Sequence, residues 1–229
     1  MENNGINARF SEATWIHNYL VTIGGVGGIG SNVVYLLAKH GISMYLYDAD
    51  TVELHNVGGQ MFDRQDVGLN KCIAMKNKIR KINRELSLSV NGMFINTSII
   101  TSIAFACFDN MVARKVFYDA WKKLLVDSDT KTNPFILIDG RQNAETLDIY
   151  IVTKETMQRY EEEALFDDSE VEDLPCNFKS TTHTGFLTSG LMVSAYTNFM
   201  SNFNTKEDVR TLPFRIQFTI PMMYYETIN

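Results

Sequence analysis

The chain has 229 residues, of which 45% are apolar and 21% charged. These values suit an ordinary globular protein and exclude disordered, collagen-like and coiled-coil classes. The formal net charge of −6 argues against a chain built to coat nucleic acid, and at roughly 150 residues per domain the length allows one large domain or one with an elaborated edge.

In chain order, residues 19–24 (YLVTIG) read as a buried strand and run straight into a glycine-rich turn. Residues 31–40 follow with helical spacing, Val33, Val34, Leu37 and Ala38 on one side, and Gly41 ends the helix. Residues 43–47 (SMYLY) make a second strand closing in Asp48. This is a βαβ unit, which implies a parallel strand pair and a right-handed crossover. A second helix is expected over 66–87, then strands at 89–96 and 103–108, an amphipathic helix at 111–126, and strands at 133–139 and 147–153. Residues 158–173 are strongly acidic and read as an exposed or mobile crossover. Helical spacing returns over 184–203, and 214–224 resembles a last strand. The expected fold is α/β: a Rossmann-like, doubly wound, mostly parallel sheet with a C-terminal strand and helix appendage. One domain is expected over 1–229, with a nucleotide-binding core over 1–153, the acidic crossover over 154–183 and the C-terminal elements over 184–229.

Cys72, Cys107 and Cys176 form no CxxC pair, so neither a disulfide framework nor a zinc site is expected. Residues 1–14 are polar, without a signal-peptide core. No apolar run reaches the roughly 20 residues a membrane helix needs. The expected address is the cytoplasm.

The turn reads G-x-G-G-x-G-S over Gly25, Gly27, Gly28 and Gly30. Glycines let a ligand approach bare backbone, and the following helix offers its positive end to a phosphate. Asp48, at the end of the second strand, stands where a carboxylate accepts hydrogen bonds from ribose hydroxyls. A nucleotide pocket follows, the bland alternative being a tight turn that only packs helix on strand. Turn and acid alone equally fit an NAD-dependent oxidoreductase.

The next residues separate these chemistries. The stretch Asp48-x-Asp50-x-Val52-x-x-x-Asn56-x-x-x-Gln60 resembles the D-x-D-x-V-x-x-x-N-x-x-x-Q of the ThiF/MoeB/HesA family, the ubiquitin-activating type of adenylyltransferase. Asp66-Val67-Gly68-x-x-Lys71 is similar to its D-(I/V)-G-x-x-K, and Asp109-Asn110-x-x-x-Arg114 to its D-N-x-x-x-R. The resemblance spans Val21 to Arg114. It implies an enzyme that binds ATP and Mg²⁺, attaches AMP to the C-terminal carboxylate of a small ubiquitin-like or sulfur-carrier protein, and releases pyrophosphate. It further implies that Gly25, Gly27, Gly28 and Gly30 surround the nucleotide, that Asp48 holds the ribose, and that Asp50, Asn56 and Gln60 line the phosphate side. Lys71 would neutralise phosphate charge and Asp109 would hold Mg²⁺. In the bland reading Lys71 is a solvated helix residue and Asp109 only a helix cap. Arg114 is as readily a salt-bridge residue.

One departure stands out. The family places Arg immediately before the Gln, and here that position is Gly59. The replacement cation is either Arg64 or Arg9, the latter supplied by a second subunit, since many relatives are homodimers. Without either, the chain would be a nucleotide-binding module with impaired chemistry. Cys72 and Cys107 read as buried. Cys176 follows Pro175 beyond the acidic stretch and is a candidate acceptor of the activated acyl group, Lys179 favouring its thiolate. Arg141, after Asp139-Gly140, pairs either with a carrier's tail carboxylate or with Asp139 or Glu145, and His183 reads as a helix-end residue. The aromatic end 214–225 suits sheet, docking face or dimer contact. The compact size is that of a simple bacterial or phage-like form.

Overall fold

The computed structural model describes residues 10, 12–15, 19–166, 181–205 and 208–229. Eight strands among them form one sheet: β1 (Val21–Gly24), β2 (Met44–Tyr47), β3 (Leu88–Asn91), β4 (Ile103–Ala106), β5 (Ile136–Gln142), β6 (Thr146–Val152), β7 (Arg215–Thr219) and β8 (Tyr224–Ile228). Their spatial order is β3-β2-β1-β4-β5-β6-β7-β8. The first five are parallel and the last three antiparallel. From β1 the chain winds outward through β2 and β3, then returns to the other side of β1 for β4 and β5. The reversal opens a crevice at the C-terminal ends of β1 and β4, where sheets of this kind bind ligands.

Strand side chains alternate between two cores. Ile23, Phe105 and Ile138 face α1 (Gly30–Lys39), α2 (Lys71–Arg80) and α5 (Thr182–Asn204). Ala106 and Leu137 face α3 (Met111–Val126) and α4 (Met157–Ala164), where Phe117, Tyr118, Trp121 and Tyr160 are buried. Helices on both faces explain why the parallel strands read as continuous apolar runs. Two of the helices start at an asparagine cap. Asn70 caps α2 by accepting from the Cys72 and Ile73 N–H groups, and Asn110 caps α3 through the Ala113 N–H.

The strand and helix order matches the sequence expectation, with differences at the edges. The helix expected over 66–87 is shorter: residues 64–66 form a 3₁₀ turn, and Gly68 adopts φ +90, outside the helical region. The acidic stretch, expected to be exposed or mobile, begins as α4, because Tyr160 and Ala164 bury one side of it; residues 167–173 lie outside the described set. The single last strand is a hairpin, β7 and β8, turned at Met223 with φ +47. These strands continue the main sheet. Met222, Met223, Tyr224 and Tyr225 are exposed there. Among the described residues no helix is long and apolar enough to cross a membrane.

At the far end of α1, His40 stacks against Phe10 (5.4 Å) and Trp15 (4.6 Å), and its Nδ1 is buried without a hydrogen-bond partner among the described residues. Burial lowers its pKa below 6.5, since the cation is the form that loses hydration. The unfolded chain then binds the proton more readily than the fold. The melting temperature should hold at and above neutral pH and fall as the pH drops below about 6.5. His40→Gln, melted across pH 5–8, should flatten that slope; an unchanged slope would assign it to other groups.

Candidate functional site

Gly25, the first residue of the turn after β1, has φ +83, and a Cβ on it would lie 2.6 Å from the Cys107 carbonyl oxygen. A Cβ on Gly30, the first residue of α1, would lie 1.9 Å from the Gly25 oxygen. Only glycines allow strand, turn and helix to approach this closely. The turn is therefore a packing device as well as a bare backbone surface. The start of α1 carries no side-chain cap and no acid in its first turn, so its positive end is open to an anion.

Asp48 closes the turn from the β2 side. Its carboxylate accepts from the Val26 N–H at 2.6 Å and the Asp50 N–H at 2.8 Å. Burial raises its pKa, opposed by those hydrogen bonds and the Lys71 charge. Asn70 donates to the carbonyls of Asp48 (2.9 Å) and Asp50 (3.1 Å), and the Lys71 N–H donates to the Asp50 carbonyl at 2.9 Å. These bonds fasten the start of α2 to the end of β2. Lys71 is consequently not a solvated residue: its side chain is 9% exposed, and Nζ meets Asp50 Oδ2 at 2.7 Å. Asp50 is 66% exposed, so an incoming phosphate can take the ammonium group from a carboxylate that water readily solvates.

Asn56 is buried in a 3₁₀ turn over 54–58. Its Oδ1 accepts the Glu53 N–H at 2.9 Å, which fixes the amide. Gln60 donates its N–H to the Asn56 carbonyl at 2.9 Å, and its Oε1 is buried without a partner among the described residues. The Met61 N–H donates to Ser31 Oγ at 3.1 Å and Thr182 Oγ1 to the Gly58 carbonyl at 2.5 Å. The loop is thereby tied to both α1 and α5. Gly59 has φ −132, and a Cβ there would meet nothing within 4 Å. A Cβ at Gly59 thus enters open space.

On the other side of the crevice the Cys107 N–H pairs with the Gly24 carbonyl at 2.7 Å, which brings Asp109 beside the turn. The cap of α3 is Asn110, not Asp109. Asp109 is exposed, with Oδ1 taking the Asn110 amide at 3.1 Å. Among the described residues no group of three His, Cys, Asp or Glu could hold a metal. Cys72 and Cys107 are buried, their thiols pushed up to about 12 chiefly by burial, which excludes both as neutral-pH nucleophiles.

The other candidates stand apart. Arg64 is exposed; its neighbour Asp63 pairs with Lys78 at 2.6 Å, about 10 Å along α2 from Lys71. Arg9, Cys176 and Lys179 lie outside the described residues. His183 is exposed and meets Thr181 Oγ1 at 3.3 Å, while Thr181 caps α5. Arg141 pairs with Asp139. Sequence reasoning offered the Arg141–Asp139 pair but missed Arg114 and Tyr160 as further partners of Asp139, because they are distant in the chain and no local pattern joins them.

With this geometry in view, the comparisons with known proteins decide the family. The ThiF family model matches residues 8–218. The chain belongs to the ThiF family. It is 37% identical over 83 residues to ubiquitin-like modifier-activating enzyme 5 of Mus musculus, covering 36% of this chain and 21% of that protein. It is 31% identical over 132 residues to the protein of the same name from Arabidopsis thaliana, covering 48% and 31%. The chain thus spans under a third of these ThiF relatives. Its fold is that of E. coli MccB, solved with ATP: TM-score 0.68 at 19% identity, covering 94% of this chain and 64% of MccB. PaaA has the same fold, TM-score 0.65 at 17% identity, covering 92% and 73%.

Two glycines give opposite expectations. Gly30→Ala drives a Cβ into a backbone carbonyl and should cost about 3 kcal/mol, read from denaturant unfolding. Gly59→Arg enters open space at an ordinary φ and should leave the midpoint within about 0.5 kcal/mol.

Proposed function

We propose that this ThiF-family chain is an ATP- and Mg²⁺-dependent adenylyltransferase, a single adenylation domain, that activates the C-terminal carboxylate of a small ubiquitin-like or sulfur-carrier protein. The observation that carries the reading is the buried Lys71, held against an exposed Asp50 at the mouth of a glycine turn. An oxidoreductase cofactor site has no need of a buried ammonium beside an open phosphate cradle. NAD-dependent hydride transfer is favoured only by the turn and Asp48. The ThiF match and the likeness to MccB, whose structures include complexes with ATP and with MccA, support the same reading.

The chemistry asks for positioning and charge neutralisation rather than a base, because a carboxylate is already ionised at neutral pH. One carboxylate oxygen forms a bond to the α-phosphorus, the bond from that phosphorus to the bridging oxygen breaks, and pyrophosphate leaves with the electron pair. Gly25, Gly27, Gly28 and Gly30 receive the nucleotide backbone, Asp48 accepts from ribose hydroxyls, and Gln60 borders the pocket. Lys71 leaves Asp50 for the phosphates, and the Asn56 NH₂ group donates to them. Asp109 would hold Mg²⁺, which when bound neutralises phosphate charge. Arg9 of a second subunit in a homodimer, or Arg64 in cis, is the proposed replacement for the cation missing at Gly59. Cys176 is the proposed acceptor if a thioester stage follows, and the proposed setting is the cytoplasm.

ATP–pyrophosphate exchange with carriers ending in Gly-Gly tests this. Exchange should appear with a matching carrier and drop by about 100-fold or more in Lys71→Ala and Asp109→Asn. ATP binding without exchange on any carrier would instead support a nucleotide-binding partner module, the reading that Gly59 favours. In that case Gly59→Arg is the variant expected to gain exchange.

A further inference from the structure

Asp139 is a fully buried carboxylate on β5, level with Ala106 of β4. Three side chains converge on it. Arg114 of α3 forms an ion pair with its Oδ1. Arg141 donates from Nε (2.9 Å) and Nη2 (2.7 Å), and the Tyr160 hydroxyl of α4 from 2.8 Å. Each arginine also holds a backbone carbonyl. Arg141 donates to Ala164 at 2.8 Å, and Arg114 to Phe108, the residue immediately before Asp109.

Stability does not account for this arrangement. A buried ion pair is commonly no more stable than apolar side chains of the same volume, because desolvation consumes the Coulombic gain. Two guanidinium groups here face one carboxylate, which leaves a positive charge uncompensated within the cluster. Burial and the nearby Arg141 pull the Arg114 pKa down to about 10, so it stays charged at neutral pH. The surrounding layer is aromatic, with Phe117, Tyr118 and Trp121, and could be filled without charge. What a guanidinium adds is direction. A rigid planar fork such as that of Arg114, with one arm paired to a carboxylate, holds a carbonyl at a set angle with the other. A lysine ammonium supplies charge without that geometry.

We propose that Arg114, clamped by Asp139, is a positioning residue for Asp109: its grip on the Phe108 carbonyl aims the β4–α3 turn so that the Asp109 carboxylate faces the nucleotide phosphates and their Mg²⁺. This rests on the reading of Asp109 given above. It assigns the Asp-Asn-x-x-x-Arg spacing a physical cause, since residue 114 sits one helical turn beyond the cap and its side chain folds back over the turn's own carbonyl.

Calorimetry of ATP binding to the full chain, in Mg²⁺ and in EDTA, tests both claims separately. In the wild type Mg²⁺ should tighten binding. Asp109→Asn should abolish that tightening; if it does not, the reading of Asp109 fails and the proposal with it. Arg114→Lys should lower the Mg²⁺-dependent tightening at least fivefold with affinity in EDTA within twofold of wild type, and should add nothing in the Asp109→Asn background. Tyr160→Phe loosens the same carboxylate without touching Phe108 and should leave the tightening intact. If Asp109→Asn loses the tightening while folded Arg114→Lys keeps it, or Tyr160→Phe loses it equally, the proposal is overturned and the reading of Asp109 stands. Should Arg114→Lys melt too early to titrate, Asp139→Asn, which unclamps the fork at constant shape, is read by the same criteria.

Discussion

One carboxylate holds the glycine-turn side of this protein together. Asp48 takes the Val26 N–H of the glycine turn on one oxygen and the Asp50 N–H on the other, and its own carbonyl receives the Asn70 amide that caps α2. Turn, strand end and second helix are thus fastened at a single residue. The arrangement works because Gly25 and Gly30 let the turn lie flat against β1, β4 and α1. A side chain at either position would push the Val26 N–H out of reach of Asp48. The geometry that leaves the turn's backbone bare and the geometry that packs the first helix are therefore the same, and a change at one is felt at the other.

Around that point the sheet divides its labour. The reversal of strand order between β1 and β4 opens the crevice, with Lys71 and Asn56 on one side and Asp109 on the other. Charge is distributed unevenly across it. Lys71 rests on an exposed acid that can release it. Arg114 and Arg141 are bound to an acid that water never reaches. The first pair suits exchange with a ligand, the second suits a fixed frame. Burial decides the difference, because the strength of an ion pair and the cost of parting it both grow as solvent is withdrawn.

The site was legible from the sequence to different depths. The glycine turn, Asp48 and Lys71 could be read because each sits at a fixed offset from a strand or helix end, and local chemistry dictates what stands there. Asp109 had two readings. Asn110 took the cap because its amide reaches the Ala113 N–H, and that left the acid outward. Arg141 also had two, resolved when the strand placed it two residues from Asp139 on the same face. The acidic stretch was misleading at its start. Charge density suggested a solvated crossover, yet one buried stripe with Tyr160 was enough to form α4.

Local pattern by itself determined the α/β class, the order of strands and helices apart from α4 and β8, the glycine turn and the ThiF-type motifs, because strand alternation, helix spacing and glycine conformation act over a few residues. Only the tertiary structure decided that Lys71 is buried against Asp50, that Gly59 leaves an open space, and that Asp139 joins α3 to α4. Those facts depend on which distant surfaces meet, and therefore on solvent exclusion, which no stretch of chain expresses until the sheet and its helices have closed around it.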